Sequence, residues 1–257
     1  MDTDVDFNVM LTLMDDAFKD FEAFVPKPKL VDIPIGTVFR YQERSVYQAL
    51  IQKLARVQSA LRAAYILLQK GFVQEQAMLH RVIDETNEDI LFLVFAITND
   101  KITDLHKRYL DAFWEEEFDN VDAINSTQKR DMVPRKKIRA YLAKIGAPQL
   151  DQNSGVEVYR TLSKAYSGFI HGASPQIMEL YCGNPLRYHT KGMLDTPRIA
   201  NYTHDLWNYM YRSLISHIFF AKAIGATSHV NTLIKCKEAL EKSAGKECYS
   251  TLNKGLL

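Results

Sequence analysis

Cysteine is scarce. Cys182, Cys236 and Cys248 are the only three in 257 residues, and no two of them stand in a Cys-x-x-Cys pair. An odd, scattered set argues against a disulfide framework or a zinc knuckle, so no disulfide partner is expected and a reducing compartment fits. Glu-x-x-His and His-Glu-x-x-His are both missing. The carboxylate–imidazole spacing that builds metal sites on helices is therefore absent, and neither a metal nor any other cofactor is expected. The phosphate-cradling GxxxxGK[ST] and GxGxxG patterns and the GxSxG nucleophile turn do not occur, which removes the common nucleotide-binding and hydrolase signatures. The longest apolar run, Ile90–Ile97, is far below the roughly 18–20 residues that would span a bilayer, so no membrane partner is expected. Net charge is also near zero, at +1. No global field then draws the chain to nucleic acid or an anionic membrane, although a local basic patch remains compatible with that balance. The first residues, MDTDVDFNVM, are acidic, the reverse of a secretory leader, and this points to the cytoplasm.

Glycine (11) and proline (8) are few and clustered, while 47% of residues are hydrophobic. Long helices separated by definite breaks follow from that distribution. Apolar residues recur at helical spacing over Phe7–Phe24, Tyr41–Gln69, Val73–Thr98, Ile102–Val121, Arg135–Ile145, the stretch after Thr196-Pro197 to Ala223, and Val230–Lys242. The short break at Gly71 predicts an antiparallel hairpin of the second and third of these. The fold expected is all-α: a bundle of four to five long helices with short accessory helices and a small irregular or hairpin insertion near 179–195, turning at Gly183-Asn184-Pro185. One helical domain covers 1–257, with an N-terminal helix and Pro-rich linker over 1–38, a core bundle over 39–225, and a C-terminal helix and tail over 226–257. The linker VPKPKLVDIPIG reads as an extended strap and not as an element of its own.

The densest set of polar groups lies in Tyr159–Pro175, YRTLSKAYSGFIHGASP. Its apolar face is Tyr159, Leu162, Tyr166, Phe169 and Ile170, and Ser163, Ser167 and His171 form one ridge. Gly172 predicts a left-handed cap and Pro175 a stop, leaving His171 at a helix end whose dipole favours a protonated ring. A second cluster, Arg81, Asp84, Glu85 and Glu88, falls on the Val73–Thr98 helix at three- and four-residue spacing. Two readings follow. In the functional one, Arg81 and Glu85 face His171 across a groove, Arg81 holding an anion such as phosphate, with Tyr159, Arg160, Ser163, Tyr166 and Ser167 as ligand contacts. In the structural one, Arg81–Glu85 is an ion pair that ties helices together and His171 only caps its helix.

The late helix adds two Arg-x(4–6)-His spacings, Arg198 with His204 and Arg212 with His217. A guanidinium and an imidazole on neighbouring faces could act on an RNA phosphodiester as charge stabiliser and acid/base. Any chemistry would then be that of a metal-independent, ribonuclease-like phosphodiesterase. The segment HRVIDETNEDILFL with Tyr166, Ser167, His171 and Gly172 downstream resembles a family of bacterial all-helical proteins known only as a domain of unknown function. Its Arg-x-x-x-Glu helix corresponds to Arg81 and Glu85, and its Ser-x-x-x-His helix end to Ser167 and His171; the resemblance runs over about Tyr41–Phe220. That family is similar in layout to HEPN domains, helical bundles that include RNA-cleaving toxins and phage-defence effectors. The resemblance implies a HEPN-like bundle that binds RNA or a nucleotide in stress or phage defence. HEPN domains carry an Arg-x(4–6)-His motif whose arginine is usually followed by Asn, Asp or His, and the chain departs from it there, where Ile199 and Ser213 stand. The alternative is a non-catalytic homodimeric interaction or scaffold module with Tyr181, Tyr188, Tyr202, Tyr209 and Tyr211 on its contact face.

Overall fold

The computed structural model describes residues 7–34, 36–116, 120–126, 130–146, 164 and 166–245. The fold is all-α with two small antiparallel hairpins. Helix α1 (Phe7–Ala23) buries Phe7, Met10, Leu11, Met14 and Phe21, the stripe its spacing predicts. The Pro-rich linker that follows is an element after all. Strand β1 (Lys29–Ile33) pairs with β2 (Gly36–Arg40), with Val31 opposite Val38. Pro34 lies beyond the end of β1, where it removes no ladder donor, and the alternation in KLVDI and GTVFR suits a half-exposed ribbon.

Helix α2 (Val46–Gln69) starts later than its apolar pattern, because a capping box closes its first turn. The Gln48 amide donates to Ser45 Oγ at 3.3 Å, and the Ser45 amide donates to Gln48 Oε1 at 2.8 Å. Gly71 then takes the left-handed φ of +75° that a side chain resists. A Cβ there would meet the Met193 amide nitrogen at 2.5 Å. Helix α3 (Val73–Thr98) returns antiparallel to α2 and packs on α2, α5 and α8. Helix α4 (Asp104–Trp114) is shorter than expected, opening with its own box between Thr103 and His106. After α5 (Arg135–Gly146) comes a helical segment α6 (166–170). It ends as its sequence predicts: Gly172 has φ +61°, and the Ala173 amide reaches back to the Gly168 carbonyl at 2.9 Å.

Pro175 does more than stop that segment. It lies in the first turn of a further short helix, α7 (Ser174–Ile177). The insertion is the expected hairpin, β3 (Tyr181–Cys182) with β4 (Arg187–Tyr188). Helix α8 (Ile199–Ala223) is capped at Arg198 and not at Thr196, whose hydroxyl donates instead to the Met193 carbonyl at 2.7 Å. Helix α9 (Thr227–Ser243) packs on α8 and α1. The core runs between α1, α2, α3 and α8, where Phe21 meets Phe220 and Phe95 meets Phe219 edge-on, each pair 5.1 Å apart. Among the described residues no helix is long and apolar enough to cross a membrane, and Cys182 and Cys236 are free thiols.

Candidate functional site

Helix α3 carries a line of carboxylates turned into the bundle. Asp84, Glu88 and Asp89 are each 3% exposed or less. Burying a carboxylate is unfavourable unless a cation and hydrogen bonds replace water, and each of these has its cation. Asp84 accepts from Arg212 of α8. Glu88 accepts from Arg139 Nε of α5 at 3.0 and 3.1 Å. Asp89 accepts from Lys53 of α2 at 2.8 Å and from Arg135 of α5 at 3.1 Å. Asn87 joins the same seam, donating to Ser213 Oγ at 3.0 Å and accepting from Ser216 Oγ at 2.7 Å. Three helices are thus locked to α3 by matched polar pairs. Burial would raise the Asp89 carboxyl, but Lys53 and Arg135 overcome that and hold it below the ordinary range. At Glu88 the balance goes the other way. Burial and the Asp84 charge outweigh Arg139 and Arg135 and push it up to about 7.

The residues singled out from the sequence are spread around this seam. Arg81 pairs with Glu85 along its own helix, Nε to Oε1 at 3.1 Å, and Glu85 also faces Arg135 Nε at 3.9 Å. His171 lies just past α6, exposed, its amide on the Ser167 carbonyl at 3.1 Å. Ser167 is half-buried. Tyr166 is the member of that stretch that reaches α3. Its ring meets His80 and Tyr209 edge-on, each at 5.6 Å, and its hydroxyl bonds Asp205. Tyr159, Arg160 and Ser163 lie outside the described residues. Arg198 is 3.4 Å from Glu179, and His204 is exposed beside Asn208. Arg212 is held by Asp84. His217 is fully buried, its Nδ1 2.7 Å from the Ser213 carbonyl, and burial lowers its pKa to about 4. A neutral ring inside the core is out of reach of a phosphodiester in solvent. Tyr202 and Tyr209 are also buried and Tyr211 is half-buried with its hydroxyl donating to Glu241 at 2.8 Å, leaving Tyr181 and Tyr188 as the exposed members of the proposed tyrosine face.

A small cavity of 200 Å³ opens on the seam itself, lined by Asp84, Asn87, Glu88 and Arg212 among others, and two larger ones lie away from it. One, of 340 Å³, opens beside Tyr166 and is lined by Phe169, Gln176, Glu179, Arg198, Tyr202 and Asp205 among others. It holds two carboxylates and one guanidinium, a poor cradle for an anion. The other, of 380 Å³, lies between the β1–β2 ribbon, the start of α2 and the end of α4. Its walls are aromatic (Phe39, Tyr41, Phe113, Trp114) and carry Arg40, Arg44 and Arg130 against Glu115 and Glu116. Arg40 is pinned by Glu116 through a two-pronged contact, Nε to Oε1 at 2.6 Å and Nη2 to Oε2 at 2.8 Å. Neither Arg44 nor Arg130 has a salt-bridge partner among the described residues. Arg44 takes φ +51°, a conformation unusual for a side chain of its size, and Trp114 Nε1 is buried with no acceptor among those residues.

Sequence reasoning missed this second cavity. The run Glu115-Glu116-Glu117 reads as a solvated face, whereas Glu116 is spent on Arg40. The signal available was an aromatic pair, Phe113-Trp114, next to charges of both signs, but nothing local places Arg44 or Arg130 beside it. The chain matches no protein-family model, and neither the curated proteins nor the solved structures contain a match.

Proposed function

We propose that this protein binds an anionic ligand with a planar aromatic part, a nucleotide or a stretch of single-stranded RNA, in the aromatic and basic cavity at the end of α4. The observation that carries the reading is the pairing of chemistries in one cavity: four aromatic rings beside Arg44 and Arg130, which make no salt bridge among the described residues and feel Glu116, itself paired with Arg40, only through its longer-range field. Rings stack on bases at about 1–3 kcal/mol each, and arginines take the phosphate. The reading keeps the anionic ligand expected from the sequence and moves it away from Arg81, whose charge is already matched by Glu85.

Trp114 in the cavity wall supplies the readout. Titration of the full chain with AMP and with octauridylate is expected to quench its fluorescence saturably. The pair Arg44→Ala and Arg130→Ala should weaken binding at least about tenfold, a change of about 1.4 kcal/mol. No saturable quenching by either probe, or equal binding by the double variant, rules the reading out. Ribose 5-phosphate binding as tightly as AMP would remove the role of the rings.

A self-associating module is the second reading, and one observation favours it. Ile170, Ile177, Met178, Tyr181, Leu186, Tyr188 and Leu194 are all at least 38% exposed within one short span of chain. Within that span Tyr181 meets Tyr188 edge-on at 4.9 Å and the Tyr188 hydroxyl reaches Met178 Sδ at 3.2 Å, and exposed apolar groups gathered in this way mark contact faces. Sedimentation of wild type against Leu186→Asp with Tyr188→Asp tests it: a dimer that dissociates in the double variant supports the module, and a monomer at all concentrations ends it.

A further inference from the structure

Tyr109 and Phe113 stand one helical turn apart on α4, so their rings form one ridge, parallel to within 6° with centroids 6.5 Å apart. One cation serves both. Lys53 Nζ of α2 lies 4.9 Å from the Phe113 centroid and 5.6 Å from that of Tyr109. The same ammonium donates to Asp89 Oδ2 at 2.8 Å, which ties it to α3. Phe113 is a wall of the aromatic and basic cavity, and it meets its neighbour in that wall, Trp114, edge-on at 4.9 Å. Lys53 and Tyr109 are not in the lining, whereas Gln52, next to Lys53 on α2, is. The ammonium therefore reaches Phe113 from behind the wall, from the side of the seam.

We propose that Lys53 is a positioning residue for the ligand cavity: held by Asp89, its ammonium pins the Phe113 ring, and through it Trp114, in the orientation that stacks on the planar part of the ligand. This rests on the reading of that cavity as a nucleotide site. An ammonium over a ring is attracted by the ring quadrupole, and more strongly where water is partly removed. Here the Lys53 side chain is half-buried and Asp89 is buried. The Lys53 charge is engaged by Asp89, so it is not a phosphate ligand. Its effect is on the rings, because a wall already held in place loses less freedom when a base stacks on it. Seam and cavity are then joined at one side chain: the pair that fixes α2 against α3 also sets the wall at the end of α4.

The test is titration of the full chain with AMP, followed by calorimetry at a temperature where melts show every variant folded. Lys53→Met keeps the stem and removes the charge, and it is expected to weaken AMP binding at least about fivefold. Lys53→Arg restores a cation that can serve both Asp89 and the ring, and it should bind AMP within about twofold of wild type. A residue that only stabilises the fold would lower the melting temperature in Lys53→Met and leave the affinity of the folded protein unchanged. That result overturns the proposal, as does a loss in Lys53→Arg equal to that in Lys53→Met. Should Lys53→Met fail to fold, Lys53→Gln decides, since it can still donate to Asp89 but puts no charge over the ring: weaker AMP binding supports the role, and unchanged affinity overturns it. Wild type that does not bind AMP ends the reading of the cavity and the role of Lys53 together, whereas equal binding by wild type and Lys53→Met ends the role alone.

Discussion

The seam along α3 and the cavity at the end of α4 are both built from charge and aromatic rings, yet they treat charge in opposite ways. In the seam every buried carboxylate meets a cation from another helix: Asp84 with Arg212, Glu88 with Arg139, Asp89 with Lys53 and Arg135. In the cavity, two arginines face solvent and make no salt bridge among the described residues, with only the longer-range field of Glu116 on them, and one of them has a strained backbone. Matched charge inside a bundle fixes which helix lies beside which. Unmatched charge at a cavity mouth is available to something that arrives from outside. By that criterion the Arg81–Glu85 pair belongs with the seam and Arg44 and Arg130 do not.

The largest effect that sharpens this contrast is at Asp89. Asp89→Ala would leave Lys53 and Arg135, whose side chains are 19% and 32% exposed, without the buried carboxylate they share. Breaking a buried pair in this way costs about 3–5 kcal/mol, which for a chain of this size lowers the melting temperature by about 10 °C. Arg44→Ala with Arg130→Ala is expected to leave the melting temperature within about 2 °C of wild type. Thermal melts by circular dichroism compare the two directly. Equal losses in both would erase the distinction between the regions. The Asp89 contribution also has a pH sign. Its folded pKa is depressed, so its stabilisation is present above the ordinary aspartate range and is lost as pH falls through the folded value.

Glu88 sharpens the contrast within the seam, because there the match is incomplete. Its folded pKa is about 7 against an ordinary 4.5. Between those values the folded state holds a proton that the unfolded chain has released, so wild-type stability falls as pH rises through that window and is level above it. Glu88→Gln keeps the shape and cannot titrate. The stability of wild type relative to this variant should drop by roughly 2 kcal/mol between pH 5 and pH 8. His80 and His217, lowered by burial to about 3 and about 4, act in the other direction, destabilising as pH falls below the ordinary histidine value. They are common to both proteins and cancel in the difference. Urea unfolding at the two pH values measures it, and parallel profiles would mean that Arg139 keeps Glu88 ionised throughout.

The helical layout was legible because apolar spacing, Gly71 and Gly172 act locally, and local rules settle where a helix runs and ends. The β1–β2 ribbon was hidden by its prolines, which argue against strands only when they fall inside a ladder; here they fall before and after β1. The seam was half legible. Asp84 and Glu88 stood out on α3, but their partners Arg212 and Arg139 are 128 and 51 residues away, and periodicity within one helix says nothing of which helix will face it. The same limit applied to the aromatic and basic cavity. Arg44 has no motif around it, and its role follows from what the fold leaves unpaired.

The smallest expected effect is the most pointed test of the cavity. Arg44 has φ +51°, which costs an L residue about 1–2 kcal/mol. Arg44→Gly removes that strain, but glycine loses about 0.5–1 kcal/mol more backbone entropy on folding. The two nearly offset, so Arg44→Gly should be as stable as wild type or up to about 1 kcal/mol more stable. Arg44→Ala keeps the Cβ and should gain nothing. Both substitutions remove the guanidinium and should weaken AMP binding alike. Stability equal to or above wild type with weakened binding would mean that the strain is tolerated for the sake of the ligand, as backbone outliers at binding sites often are. A clear loss of stability in Arg44→Gly would instead make Arg44 a structural residue and return this cavity to the same class as the seam.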